Sequence, residues 1–313
     1  MHEDMPGRRR RSRREQRRRR KAKRRRVTWA VTAAVLLLGG GGTYAATKAH
    51  QDDNGTPTAR RTLRSPQSSP TPTPVPMDLK PALDPLAATL SGNELSVALL
   101  DTESGKWATY GDGAFDTASI VKVDILATLL LQAQDAGREL TAKERAYAAD
   151  MIENSDNDAT SALWTAIGSA VGLDAANKRL GLSQTQGGGG TVWGVTRTTA
   201  QDQVRLLQNV FGEGPPLSAA SRKYIQDLMR HIAKSQQWGV SAVADTGTTT
   251  ALKNGWLQRS ATKKWDVNSI GRVESGGRVY LMAVLLNGCT TEEAGIKIVE
   301  QAARVAMKGF ASP

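Results

Sequence analysis

The stretch from Ala118 to Ala136 constrains the fold of this chain more than any other part of its sequence. Its aliphatic side chains are spread around the whole circumference of a helix: Ile120, Val121, Val123, Ile125, Leu126, Leu129 and Leu130. A helix that is apolar on every side is normally buried in the middle of a domain. The rest of the chain must therefore supply elements that pack around this helix.

Strand and helix patterns alternate in blocks around it. Strands are predicted in five places, two early and three late: 95–100, 107–110, 251–257, 266–274 and 278–287. Further helices are predicted between and after them: 142–152, 158–167, 199–210, 218–233 and 291–308. This order predicts an α+β fold of three layers, α/β/α. One antiparallel sheet is built from both ends of the domain, and an all-helical subdomain lies beside it.

The first 84 residues differ in composition from the rest. Residues 1–26 hold 15 Lys or Arg against three acidic residues, a net of +12 that equals the formal charge of the entire chain. Residues 27–46 carry no charge over the roughly 20 residues that a membrane-spanning helix needs, and residues 47–84 are rich in Pro, Ser and Thr. We therefore predict a basic cytoplasmic tail, a transmembrane signal-anchor, a disordered linker and a folded domain at 85–313.

This organisation predicts a single-pass protein of the cell membrane whose folded domain is extracytoplasmic. The alternative is a secreted protein, because Thr43-Tyr44-Ala45 is typical of a signal-peptide cleavage site. Of the 42 basic and 30 acidic residues, 27 of each remain outside the basic tail. The folded domain is therefore not expected to bind nucleic acid, and we expect it to be monomeric.

Several kinds of site are excluded by residues that the sequence lacks. The single cysteine, Cys289, excludes a disulfide framework, a multi-cysteine zinc site and a lipoprotein anchor, which needs a cysteine just after the apolar segment. The outer domain has one histidine, His231, and contains neither a G-x-S-x-G motif nor a G-x-x-x-x-G-K-[ST] phosphate loop. No metal and no cofactor is therefore expected.

A serine and a lysine at the start of the buried helix are spaced for joint chemistry. Ser119 and Lys122 are three positions apart, so their side chains lie on one face of the helix. The first turn offers N–H groups and the positive helix end to an oxyanion, and burial lowers the pKa of a lysine toward that of a usable base. A second S-x-x-K, Ser260 to Lys263, lies in a polar connection between strands and is interpreted as chance.

Two further motifs accompany this pair. Ser155-Asp156-Asn157 lies between two helical patterns, and Lys253-Asn254-Gly255 lies on the strand after the helical block. Class A β-lactamases and penicillin-binding proteins share the set S-x-x-K, S-D-N and K-T-G. In order and context, residues 95–310 resemble the class A β-lactamase-like serine hydrolases.

The resemblance implies that four residues are catalytic. Ser119 would be acylated, with Lys122 as its proton acceptor, and Ser155 with Lys253 beside it would pass a proton to the leaving nitrogen. The substrate would be a small molecule with an amide or β-lactam-like bond, or a peptidoglycan peptide.

The resemblance also implies four positions that contact the substrate. Asn157 would hold the substrate amide, and Asn254 and Gly255 would belong to the binding strand. The backbone N–H groups of Ser119 and Trp256 would form the oxyanion hole.

Two departures from the family pattern affect the expected activity. No glutamate occurs between Glu153 and Glu213, so the loop Gln184–Arg197 has Trp193 in place of the carboxylate that activates water in β-lactamases of this class. We therefore expect slow deacylation, since loss of a general base costs about 10²–10⁴-fold in rate. Asn254 replaces the Thr or Ser whose hydroxyl helps hold a substrate carboxylate.

Two functions are the alternatives to a slowly deacylating serine hydrolase. One is a D-Ala-D-Ala carboxypeptidase-like peptidoglycan peptidase, and the other is a catalytically weak sensor that binds β-lactams or the cell wall.

Overall fold

The computed structural model describes residues 76–90, 92–214 and 216–311. The predicted tail at 1–26, the signal-anchor at 27–46 and most of the linker lie outside the described residues. Within those residues, none of the helices combines the length and the hydropathy of a membrane span.

The described residues form strands and helices that are numbered here in chain order. The strands are β1 (Met77–Asp78), β2 (Leu95–Asp101), β3 (Trp107–Tyr110), β4 (Phe115–Asp116), β5 (Arg197–Thr198), β6 (Ala251–Gln258), β7 (Trp265–Ser275) and β8 (Arg278–Cys289). The α-helices are α1 (Lys80–Ala87), α2 (Val121–Asp135), α3 (Ala142–Glu153), α4 (Asn157–Ala166), α5 (Ser169–Leu180), α6 (Ala200–Phe211), α7 (Ala219–Arg230) and α8 (Glu292–Ala311). Short 3₁₀ turns occur at Ala118–Ile120, Trp193–Val195, Lys234–Gln236 and Gly239–Val243.

Six of the strands form one sheet in the order β1-β3-β2-β8-β7-β6. Its neighbours are antiparallel except for the short β1, which pairs parallel with β3. Early strand β2 pairs with late strand β8, and Leu95 lies opposite Leu286. The predicted sheet built from both ends of the domain is therefore confirmed.

Each face of this sheet is covered by a separate apolar core. Because successive side chains of a strand point to opposite faces, Val97 and Leu99 of β2 pack toward α1 and α8, while Ala98 and Leu100 pack toward the helical block. The helical block is centred on α2, in which twelve of fifteen residues are buried. The three-layer α+β class and the buried central helix are as predicted.

Two helices, α1 and α5, and three short strands, β1, β4 and β5, were missed in the sequence. The predicted boundary between residues 84 and 85 falls inside α1, whose Pro81 lies in the first turn, where proline is compatible with a helix. Helix α5 buries only Leu173, Ala176, Asn177 and Leu180, so it carries a weak apolar pattern. The two-residue strands β4 and β5 pair only with each other and are too short to show a period.

Helix α2 also buries a carboxyl group. Asp124 is 1% exposed, and burial, reinforced by the nearby carboxylates Asp174 and Asp202, raises the pKa of Asp124 to about 8. In the unfolded chain the group ionises from about pH 4. The contribution of Asp124 to the free energy of unfolding is therefore fully present below pH 4, and it is lost as the pH rises toward 8.

We expect Asp124→Asn to relieve this loss. The neutral amide has nearly the same shape, so the gain in unfolding free energy of the variant over wild type should grow between pH 5 and pH 8. The growth should approach roughly 1.4 kcal/mol per pH unit. Denaturant unfolding across this range measures it, with the exposed loop residue Asp112→Asn as the matched control. A difference that does not change with pH would mean that Asp124 is ionised in the folded protein.

Candidate active site

Ser119 lies in the 3₁₀ turn Ala118–Ile120 that leads into α2. The predicted helix thus begins with a tighter turn, and the preceding Ala118 has a left-handed φ of 47°, a conformation that costs energy for a residue with a Cβ. Ser119 is half-buried and lines a cavity of about 400 Å³. The structure therefore presents this hydroxyl group to an accessible space.

Lys122 is fully buried one helical turn after Ser119. Its Nζ donates hydrogen bonds to the Ser155 backbone oxygen at 2.8 Å, to Ser155 Oγ at 2.9 Å and to Asn157 Oδ1 at 2.9 Å. Among the described residues no hydrogen bond joins it to Ser119. Burial lowers the pKa of Lys122 to about 7, although the negative charge of Asp156 acts in the opposite direction. Near neutral pH a large fraction of this amine is therefore uncharged and able to accept a proton.

Ser155 lies at the junction of α3 and α4 with a left-handed φ of 52°. Helix α4 starts after it because Asp156 caps the helix, its Oδ1 accepting the Ala159 N–H at 2.7 Å. Ser155 Oγ accepts from Lys122 Nζ and, at 3.0 Å, from Lys253 Nζ. The hydroxyl group thus connects a lysine of α2 with a lysine of β6.

Lys253 is the second buried lysine and comes from β6. Besides Ser155 Oγ, its Nζ donates to Gln236 Oε1 at 3.3 Å and to the Asn254 backbone oxygen at 3.2 Å. Burial, followed by the positive charge of Lys122, lowers the pKa of Lys253 well below its usual value. Two ammonium groups sharing one hydroxyl repel each other, so a proton on one lysine disfavours a proton on the other.

The backbone of β6 lies directly against the Ser119 turn. A Cβ atom at Gly255 would lie 2.6 Å from the Ser119 nitrogen and 2.8 Å from the Ile120 nitrogen. From the neighbouring strand β7, Asn268 Nδ2 donates to the backbone oxygens of Asp116 and Thr117 at 2.8 and 3.1 Å. The sheet therefore holds the turn from two sides.

We expect Gly255→Ala to separate β6 from the Ser119 turn. The added methyl group would meet backbone atoms, which can move only if the strand moves, so the N–H groups that are predicted to hold an oxyanion would be displaced. Acylation of the protein should fall by about 10²–10³-fold, the cost typical of a lost oxyanion donor. Stopped-flow acylation kinetics give the rate.

Gly189→Ala is the matched control, because Gly189 has open space around its Cβ position and no left-handed φ. Equal acylation rates for Gly255→Ala and the wild type would show that the turn tolerates displacement.

Asn254 does not face the cavity. It is fully buried, and its Nδ2 donates to the backbone oxygens of Gln236 at 2.7 Å and Trp238 at 3.0 Å. Both amide hydrogens are therefore used within the protein. This differs from the predicted role of Asn254 as a substrate contact, since the side chain has no donor left for a substrate.

The cavity brings predicted and unpredicted residues together. Of the predicted residues, its lining includes Ser119, Ser155, Asn157 and Trp256. The other lining residues are Asn154, Ser235, Gln236, Trp238, Glu292 and Ile296. The sequence carries no local signal for Glu292, because only the packing of α8 brings the start of that helix to the cavity.

Trp193 is a further residue whose position was not predicted. Its ring lies over Lys122 with the Nζ 4.8 Å from the ring centroid, and its Nε1 donates to Ser161 Oγ at 3.2 Å. The indole therefore covers the buried amine from the side of the loop that joins α5 to β5.

His231 and Cys289 take no part in this arrangement. His231 is exposed at the end of α7, where its Nδ1 is 2.6 Å from the Asp227 backbone oxygen. Cys289 is buried, and burial raises the pKa of its thiol to about 11. In the described part of the chain no group of three or more His, Cys, Asp or Glu side chains is arranged to hold a metal ion.

The sequence profile of the Beta-lactamase enzyme family matches residues 130–310. The match includes Ser155, Asn157 and Lys253 and begins after Ser119 and Lys122. Curated proteins named lipoprotein LppW, from Mycobacterium bovis and Mycobacterium tuberculosis, are 27% identical over 195 residues. That alignment covers 58% of this chain, and the chain spans about 60% of the length of these relatives.

Solved structures of similar fold cover about three quarters of the chain. A PBP-A mutant in acyl-enzyme complex with penicillin G superimposes with a TM-score of 0.64 at 22% identity, over 76% of this chain and 99% of that one. A class A β-lactamase from Mycobacterium abscessus gives a TM-score of 0.62 at 22% identity, over 74% and 100%. The extended-spectrum β-lactamase TLA-1 gives 0.66 at 15% identity, over 75% and 99%. These structures confirm the predicted fold.

Proposed function

Because the chain belongs to the Beta-lactamase enzyme family and is a serine hydrolase of that type, we propose that it cleaves amide or β-lactam-type bonds through an acyl-enzyme at Ser119. One observation gives this proposal its strongest support. Two buried lysines, Lys122 and Lys253, converge on Ser155 Oγ beside a cavity that Ser119 lines. Such a set can take a proton from a nucleophile and return it to a leaving group.

The proposed acylation uses these side chains in sequence. The uncharged amine of Lys122 takes the proton of Ser119 as Oγ attacks the substrate carbonyl carbon. The oxyanion that forms is held by the N–H groups of Ser119 and Trp256. The bond from carbon to the leaving nitrogen then breaks, and that nitrogen receives a proton from Ser155, which is resupplied by the lysines. Lys253 keeps the Ser155 hydroxyl oriented, and Asn157 contacts the substrate amide.

Deacylation is the slow step of the proposed cycle. Two carboxylates lie against the loop before β5: Asp174 of α5 and Asp202 of α6. Both accept hydrogen bonds from residues of that loop. Asp174 Oδ1 accepts the Gly187 N–H at 2.7 Å, and Asp202 Oδ2 accepts from the Gln184 N–H at 2.7 Å and from Thr185 Oγ1 at 2.8 Å. Trp193 of the same loop lies over Lys122, so the loop places an aromatic ring, rather than a carboxylate, over this amine.

A second candidate function shares the same chemistry. A mutant of the structural neighbour PBP-A was solved as an acyl-enzyme complex with penicillin G. A long-lived acyl-enzyme suits a peptidoglycan peptidase or a β-lactam-binding sensor as well as a slow hydrolase. The LppW relatives are named lipoproteins, which supports an envelope location for this domain. Residues 27–46 would anchor it there, with the basic tail in the cytoplasm.

We expect the full-length chain to form a persistent adduct with excess penicillin G. Intact mass spectrometry should show one added penicilloyl group that remains for many minutes after the free drug is removed. Rapid loss of the adduct with continued consumption of penicillin would disprove slow deacylation and would make Glu292, which lines the cavity, the first candidate base. The absence of both adduct and hydrolysis would overturn the proposed function.

A further inference from the structure

The cavity that Ser119 lines has an acidic side chain and two indole rings in its lining. Trp238, Trp256 and Glu292 belong to this lining, and no Lys or Arg of the described residues does. Among the lining residues the charged side chain is therefore a carboxylate rather than a cation.

The groups that could attract a substrate carboxylate are committed elsewhere. Lys253 is fully buried and donates to three acceptors within the protein, at 3.0, 3.2 and 3.3 Å. Asn254 donates both amide hydrogens to backbone oxygens. A carboxylate bound here would lose its water and find no Lys or Arg among the lining residues to pair with directly, which is unfavourable.

The same side chains suit a cation. The rings of Trp238 and Trp256 lie 6.0 Å apart with their planes tilted by 56°, and tryptophan is the best aromatic partner for a cation. Glu292 makes no ion pair with any Lys or Arg of the described residues, although Glu300 on the same helix pairs with Arg304. A carboxylate in the first turn of a helix is favoured by the helix dipole alone, but that preference does not require it to line a cavity beside two tryptophans.

We propose that the cavity binds a cationic group of the substrate, such as an ammonium, through Glu292, Trp238 and Trp256. The inference rests on the proposed function, because it concerns the substrate that acylates Ser119. It makes Glu292 a specificity-determining residue.

Three thioesters test the proposal on the full-length chain. They share a phenylacetylglycyl acyl group and differ only in the thiol that leaves: thiocholine is a quaternary cation, 3,3-dimethylbutanethiol is its neutral analogue, and 3-mercaptopropionate is an anion. Each transfers the same acyl group to Ser119 Oγ, the carbon–sulfur bond breaks and the thiol leaves with a proton. Intact mass gives the acylation rate, and deacylation is identical for all three.

Thiocholine is a better leaving group than the other two thiols, because its positive charge lowers the pKa of the thiol, so each acylation rate is divided by the rate of uncatalysed hydrolysis of the same ester. We expect this corrected rate to be about tenfold higher for the thiocholine ester than for the neutral ester, the effect of about 1.4 kcal/mol, and lowest for the anionic ester. In Glu292→Gln the ratio of the corrected rates of the cationic and neutral esters should fall toward one. The matched control is Glu293→Gln, whose exposed side chain does not line the cavity; it should keep the wild-type ratio.

Equal corrected rates, or a higher corrected rate for the anionic ester, would overturn the inference while acylation itself still supports the proposed function. A higher corrected rate for the cationic ester that survives in Glu292→Gln would also overturn it. No acylation by any of the three esters or by penicillin G would mean that the proposed function has failed, and the inference with it.

Discussion

Ser119→Ala should take up no acyl group from penicillin G under conditions that label the wild-type chain completely. The Oγ atom forms the new bond in the proposed mechanism, and alanine has no atom to replace it. Because Ser119 is only half-buried, removing its hydroxyl group should leave the fold intact. Intact mass measures the adduct, and peptide mapping locates it.

The second S-x-x-K supplies the matched control for this experiment. Ser260 lies in the connection between β6 and β7, and Ser260→Ala should be labelled like the wild type. An adduct of full mass on Ser119→Ala would place the nucleophile elsewhere and contradict the assignment.

Lys122→Met should lower the acylation rate by about 10²–10⁴-fold, the usual contribution of a general base. In the wild type the active form is the uncharged amine, and the pKa of Lys122 is lowered to about 7. Acylation should therefore be slow at pH 5, rise as pH passes through about 7, and level off above pH 8. The variant should lose this rise, because methionine has no group to titrate.

Acylation rate constants between pH 5 and 9 test this expectation, with melting temperatures recorded for each protein. Lys253→Met is the informative comparison, since Lys253 donates a hydrogen bond to the same Ser155 hydroxyl group. A wild-type profile that persists in Lys122→Met and disappears in Lys253→Met would transfer the role of base to Lys253.

Local patterns in the sequence predicted a large part of this arrangement. Helix α2 was predicted because its apolar residues surround the helix, and the convergence of Ser119, Ser155 and Lys253 followed from the order of three short motifs. The pairing of β2 with β8 was anticipated from strand patterns at both ends of the domain. These features depend on residues that are close in sequence or on motif order.

The unpredicted features depend on tertiary contacts. Asn254 turns away from the cavity because the segment that holds Gln236 and Trp238 offers it two backbone oxygens. Trp193 was recognised as a loop residue, but nothing in its neighbours indicates that its ring covers Lys122. In the sequence Glu292 cannot be distinguished from any acidic residue at the start of a helix. Only the packing of α8 against the sheet brings it to the cavity.

The pairing of β2 with β8 also determines when the protein becomes reactive during folding. Leu95 and Leu286 face each other in the middle of the sheet, so the sheet cannot close until nearly the whole domain has been synthesised. Contacts so distant in sequence form late and slowly. Lys253 and Gly255 sit on β6, which is held in place by β7 and β8. A chain whose synthesis has not reached β8 therefore contains Ser119 but lacks a stably placed β6 beside it. Acylation of Ser119 would then indicate that the domain has folded completely.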